Sequence, residues 1–191
     1  MKAEQRGKRL ATLRRLLALN QTDFSELTGL SQPLISLMER GERSVTDSVV
    51  LDLARITKTP VSFFEVTTTP PPGVLSFRKL ATTSASSREA ATARFEELER
   101  VATHLGRSAE YPSPELPSAE DDLDGDDIED LAQKVRVRLR LEPEDPILNL
   151  TRALERRGII VASLASVDDG ILDGHDGASR ATGSSIRPVI G

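Results

Sequence analysis

Between residues 20 and 43 the chain gathers Gln21, Ser31, Gln32, Ser36, Arg40 and Arg43 within a short span. A carboxamide both donates and accepts, and that of Gln32 matches the N6/N7 edge of adenine. Gln21 is suited to a phosphate, helped by the N–H groups of a helix start. Ser31 and Ser36 can bond a phosphate or a base edge, and Arg40 and Arg43 can hold a phosphate backbone. Between them Pro33, Leu34 and Leu37 offer apolar contact to thymine methyl groups. This is the chemistry of recognition; none of these groups forms a nucleophile with its base.

The spacing also says how such groups are held. Gln21 to Thr28 places Phe24 and Leu27 three apart on one face, predicting a short helix. Gly29 stops it, because glycine enters the left-handed region without a steric penalty. Ser31 is a natural N-cap, Pro33 falls in the next first turn, and Ile35 and Met38 point inward on a second helix ending at Arg40. Two short helices joined by a tight turn are the arrangement that lays the second helix in a DNA major groove.

These residues resemble the phage-repressor-like (Cro/C1, or XRE) helix-turn-helix family over roughly residues 6–66. The resemblance is carried by L-x-x-L-R at 10–14, L-N-Q at 19–21, G-L-S-Q at 29–32 and I-S-L-M-E-R-G at 35–41. It implies an ion pair between Arg14 and Glu39 that fixes the second helix against the first. It also implies that Arg43 and Ser44 lie in a phosphate-touching loop. Further helices are expected at 6–19 (Leu10, Leu13 and Leu17 inward), at about 46–57 (Val50 and Leu53 inward) and at 60–64, where two phenylalanines close the core. Thr57 and Thr59 stand where the family usually has aliphatic residues, which predicts a looser last turn or a seat for a partner.

Composition narrows the class. The 191 residues suffice for one large or two small domains, and 38% hydrophobic with 3% aromatic content implies an aliphatic core. The chain has no cysteine, which excludes disulfides and thiolate metal sites and suits a reducing cytoplasm. No signal peptide is apparent, and the longest apolar stretch, around 158–167, is about half of what a membrane span needs. Net charge is −5, but residues 1–66 hold ten Lys/Arg against eight Asp/Glu. A weakly basic head on an acidic body is compatible with DNA binding through one face.

The fold class expected is mainly α: a five-helix Cro/C1-type domain at 1–66, then a mostly helical α+β partial domain with a few short strands. T-T-T-P-P-P-G lies within a stiff linker at 67–77, since successive prolines favour an extended chain. Residues 78–191 form the second domain, with an acidic connector at 110–127. Within 110–130 stand ten acidic residues, three prolines and no Lys or Arg. D-L-D-G-D there fails as a calcium loop, because Leu131 falls where a bidentate Glu is required. Helices are expected at 86–105 (Ala90, Ala93, Phe95, Leu98, Val101 and Leu105 as the apolar stripe), 127–139 and 146–157. A buried strand is expected at 159–162, turns around one more brief strand over S-V-D-D-G-I-L-D-G-H-D-G at 166–177 with His175 in an Asp/Gly turn, and a strand opening at 187–190.

From Leu75 onward the chain resembles the ImmA/IrrE-type metallopeptidase family. S-F-R-K-L at 76–80, I-E-D-L-A-Q-K-V-R at 128–136, P-I-L-N-L at 146–150, L-E-R-R-G-I-I-V at 154–161, L-D-G at 172–174 and R-P-V-I at 187–190 carry it, in that order. The family's zinc helix bears H-E-x-x-H, and this sequence has none. Its two histidines, His104 and His175, read as surface residues, so no metal, cofactor or catalytic residue is expected. The function expected is a DNA-binding transcriptional regulator, acting as a homodimer on double-stranded DNA with an inverted-repeat operator. The alternatives are the front part of a zinc peptidase that cleaves a repressor, or an antitoxin-type autoregulator whose acidic half engages a protein partner.

Overall fold

The computed structural model describes residues 2–67, 75–79, 84–117, 124–164, 175–180 and 189–190. Most of the proline-rich linker, part of the acidic connector and the turns before His175 lie outside them. The described residues are mainly helical: α1 (Lys2–Leu16), α2 (Gln21–Thr28), α3 (Gln32–Glu39), α4 (Asp47–Thr57), a 3-10 turn (Val61–Glu65), α5 (Ala85–Ser108), α6 (Gly125–Arg138) and α7 (Leu150–Glu155). Four short strands, β1 (Leu75–Lys79), β2 (Ile160–Val161), β3 (His175–Arg180) and β4 (Val189–Ile190), form one sheet in the order β1-β3-β4-β2. The chain divides into two interleaved compact units, 1–71 with 78–97 and 164–176, and 72–77 with 98–163 and 177–191.

The first unit is built around Leu10, Leu13, Phe24, Ile35, Met38, Val45, Val50, Leu53 and Phe64, all nearly inaccessible. Each of the four helices and the 3-10 turn contributes, so no single helix can leave without opening the core. Asn20 starts α2 by accepting the N–H groups of Thr22 and Asp23 at 2.8 and 2.9 Å. Gly29, at φ +73°, ends it. Phe24 is fully buried but Leu27 is 46% exposed. Three residues advance a helix by about 300°, which leaves Leu27 at the rim of a face that α2 is too short to bury twice.

Other expectations shift in detail. α1 ends at Leu16 rather than at 19, because Ala18 turns left-handed at φ 55° to lead the chain into the Asn20 cap. The segment at 60–64 is a 3-10 turn, with Phe64 inside and Phe63 packed edge-on against it. At the end of α4 the Thr57 hydroxyl bonds Leu53 O at 2.8 Å and Thr59 Oγ1 at 3.0 Å. The two threonines satisfy one another there.

Two features of the first unit lie outside the expectations. Gly7 of α1 lies where an added Cβ would stand 2.1 Å from the carbonyl oxygen of Met38, so α1 and the end of α3 touch backbone to backbone. Arg9 is fully buried. It grips Glu97 of α5 with both terminal nitrogens, donates from Nε to Phe63 O at 2.8 Å, and lies 3.6 Å over the Phe63 ring. A buried guanidinium is tolerated because its charge is paired with Glu97 while Phe63 takes its Nε–H and covers one face.

In α5 the buried residues are Ala90, Ala91, Ala93, Phe95, Glu99, Ala102 and Gly106, whereas Val101 and Leu105 are exposed. Ala90, Ala93 and Phe95 of the expected stripe are thus inside and Leu98 is half-buried, but beyond Phe95 the inward line runs through Glu99 and Ala102 instead of Val101 and Leu105. Glu99 can occupy it because Arg180 Nε meets both its carboxylate oxygens at 3.1 Å in the second unit. The helix expected at 146–157 is confined to Leu150–Glu155, capped by Asn149 Oδ1 on Arg152 N at 2.9 Å. β2 runs parallel to β4, with Ile160 opposite Val189. His175 opens β3 instead of standing in a turn, and β1 takes up the S-F-R-K run.

Candidate nucleic-acid interface

α3 exposes one side of its eight residues. Ile35 and Met38 point into the core, while Gln32, Pro33, Leu37 and Arg40 face outward with Ser36 half-buried among them. Gln32, Ser36 and Arg40 follow at intervals of four, one above another on the outer face. Leu34 differs, being half-buried and packed against the core, so its methyl groups are turned partly inward. Ser31 stands at the N-cap, but its hydroxyl makes no capping bond. Pro33 removes one of the two N–H groups a cap would use, and the Ser31 hydroxyl is left outward.

The seat of α3 is a polar chain reaching back to α1. Arg14 donates from Nε and Nη2 to the two oxygens of Glu39 at 2.7 and 3.1 Å, and from Nη1 to Leu19 O at 2.9 Å. The two side chains are only 13% and 9% exposed, so the pair is shielded and geometrically constrained. Gln21, the first residue of α2, donates to Glu39 Oε2 at 2.8 Å and accepts from Gln32 Nε2 at 2.7 Å. Arg14, Glu39, Gln21 and Gln32 thus connect three helices in one line of hydrogen bonds. Gly7 adds a second anchor at the same end of α3.

The arginines after the helix differ from each other. Arg40 bonds Glu42 twice, at 2.6 and 3.1 Å, and Ser36 Oγ at 2.5 Å. The Glu42 hydrogen bonds raise the Arg40 pKa and hold the Glu42 carboxyl below its ordinary value. Arg43 is exposed, with no ion-pair partner among the described residues. Its N–H, like that of Glu42, bonds Leu37 O, which fixes the loop against the end of α3.

A core-seated helix with an outward amide, hydroxyls and arginines, preceded by a capped helix and a left-handed glycine turn, has the geometry of a helix-turn-helix. The comparison with known families agrees. Residues 10–64 match the helix-turn-helix family. The helix-turn-helix domain is of the XRE type, which supports a DNA-binding transcription regulator. The match covers α1 from Leu10 to the 3-10 turn, and nothing in the comparisons supports the peptidase-like resemblance of the second half. No curated protein and no solved structure matches the chain. Among the described residues no group of three or more His, Cys, Asp or Glu is placed to hold a metal ion, and no helix is long and apolar enough to cross a membrane.

What sequence reasoning missed around this domain is its bracing. A lone glycine inside a helical pattern, as at Gly7, is the one available signal of a close approach. Arg9 has none, because its carboxylate partner lies 88 residues away.

Proposed function

We propose that the chain is a sequence-specific DNA-binding transcriptional regulator that binds an inverted-repeat operator as a homodimer, with α3 in the major groove. Residues 1–66 are the DNA-binding module of this reading, and Gln32 is its principal base reader. The observation that carries it is the hydrogen-bond state of Gln32. Its amide gives one N–H to Gln21, which keeps the second N–H and the oxygen for a base. One donor beside one acceptor is the complement of adenine N7 and N6. Gln21 in turn spends one N–H on Glu39, and its second is available to a phosphate at the start of α2.

The remaining roles follow from position. Ser31 and Ser36 bond phosphate or a base edge, Pro33 and Leu37 meet thymine methyls, with Leu34 a lesser contact, and Arg40 and Arg43 hold the backbone. A two-fold dimer places its two α3 helices one helical turn apart, which sets the half-site spacing.

Gln32→Ala tests the assignment. It is expected to weaken binding to the selected site by about 1–3 kcal/mol and to relax one base position in each half-site. Arg43→Ala is expected to weaken all sequences alike and to flatten the salt dependence. Unchanged affinity and unchanged base preference for Gln32→Ala would remove Gln32 from the reading.

A further inference from the structure

We propose that Glu42 sets the specificity of the recognition surface by holding the Arg40 guanidinium, so that the chain resists sequence-independent binding to DNA phosphate. The inference rests on the DNA-binding reading above and deepens it.

Arg40 Nε and Nη2 fork onto the two oxygens of Glu42, and Nη1 is on Ser36 Oγ. A planar guanidinium offers a phosphate the same two-bond fork, so the carboxylate occupies the site a phosphate would take. Three of the five Arg40 N–H groups are engaged, both of the Nε/Nη2 fork among them, and the Ser36 oxygen is taken as an acceptor. The arrangement is held by backbone: Gly41 N bonds Met38 O at 3.0 Å, and Glu42 N and Arg43 N both bond Leu37 O. Glu42 is therefore fixed within reach of Arg40 at the end of α3, among the groups that would face DNA.

The contrast with Arg43 gives the device its logic. Arg43, in the same loop, is open to any phosphate, whereas Arg40 must first be released. Both partners of the Arg40–Glu42 pair are about half exposed, at 53% and 54%, so it is a weak clasp that a well-placed phosphate can displace. At an operator the rest of α3 is seated and brings a phosphate to Arg40. On unrelated sequence α3 sits loosely, and the Glu42 carboxylate both retains Arg40 and repels the backbone. Specificity is a ratio of affinities, and a charge that penalises the wrong partner raises it.

The test uses the full chain in four forms: wild type, E42Q, R40Q and the R40Q/E42Q double variant. Each is checked for helical content by circular dichroism and titrated over a salt series with a mixed-sequence duplex and with the selected operator. E42Q is expected to bind the mixed-sequence duplex about two- to five-fold more tightly, the range of an exposed charge pair. Its salt slope should steepen by about 0.9, one additional phosphate. The gain on the operator should be smaller, so the specificity ratio falls, and R40Q/E42Q should bind no better than R40Q.

Equal binding of E42Q and wild type to the mixed-sequence duplex would overturn the proposal. So would an equal gain in the R40Q background, since Glu42 would then act only as bulk negative charge. Failure of the underlying reading looks different: the wild-type chain would bind neither duplex at low salt, and R40Q would change nothing.

Discussion

Replacing Gly7 by alanine probes the seat of the recognition helix with a single methyl group. The added Cβ would lie 2.1 Å from Met38 O, 3.2 Å from Met38 C and 3.6 Å from Glu39 O. The nearest of these falls about 1.3 Å short of the 3.4 Å at which ordinary contact begins. The obstructing atoms are main chain, so no side-chain rotation relieves them; α1 and the end of α3 must part. Glycine to alanine inside a helix would otherwise stabilise by about 1 kcal/mol. Forcing an extra carbon into a closed contact costs about 1–3 kcal/mol and occasionally more, and backbone against backbone belongs at the upper end. The net expectation is a loss of about 1–2 kcal/mol, read as a lower urea midpoint with unchanged slope. Parting α1 from α3 also strains the Arg14–Glu39 pair, so operator affinity, measured where the variant is still folded, should fall as well. A G7A chain that gains the ordinary helix increment and binds DNA as before would refute the close approach and the bracing argued from it.

Two further substitutions test the same unit. Glu97→Ala leaves the fully buried Arg9 without its carboxylate and should cost about 3 kcal/mol, the low end for such losses because Phe63 O and the Phe63 ring remain; the R9M/E97M pair should recover most of it in urea unfolding. Asn20→Ala removes the acceptor for two helix-start N–H groups and should lower stability by about 1 kcal/mol in the same assay.

The parts of this domain that were legible in the sequence are those fixed by local rules. Gly29 can adopt the left-handed turn, Pro33 marks a helix start, and the spacing of Ile35 and Met38 identifies the inward face of α3. The rest depends on partners remote in the chain. Arg9 and Glu97, 88 residues apart, and Glu99 and Arg180, 81 apart, read separately as surface charges. Each becomes an inward residue only when its counter-ion is brought to it. Apolar periodicity alone points the α5 stripe through Val101 and Leu105, because it cannot show that Glu99 is inside. In the recognition surface the residue types identify what could touch DNA, but not which are already engaged. That Arg40 is held by Glu42 while Arg43 is open, and that Leu34 is partly turned inward, depends on rotamers and on the loop after α3.

Whether α3 reads a specific DNA sequence, as proposed, is decided by selecting random duplexes with the purified full chain at two salt concentrations. The expected result is one enriched inverted repeat, with half-sites about one helical turn apart and an affinity that falls steeply as salt rises. Recovery of unenriched sequence at both salt concentrations would contradict it.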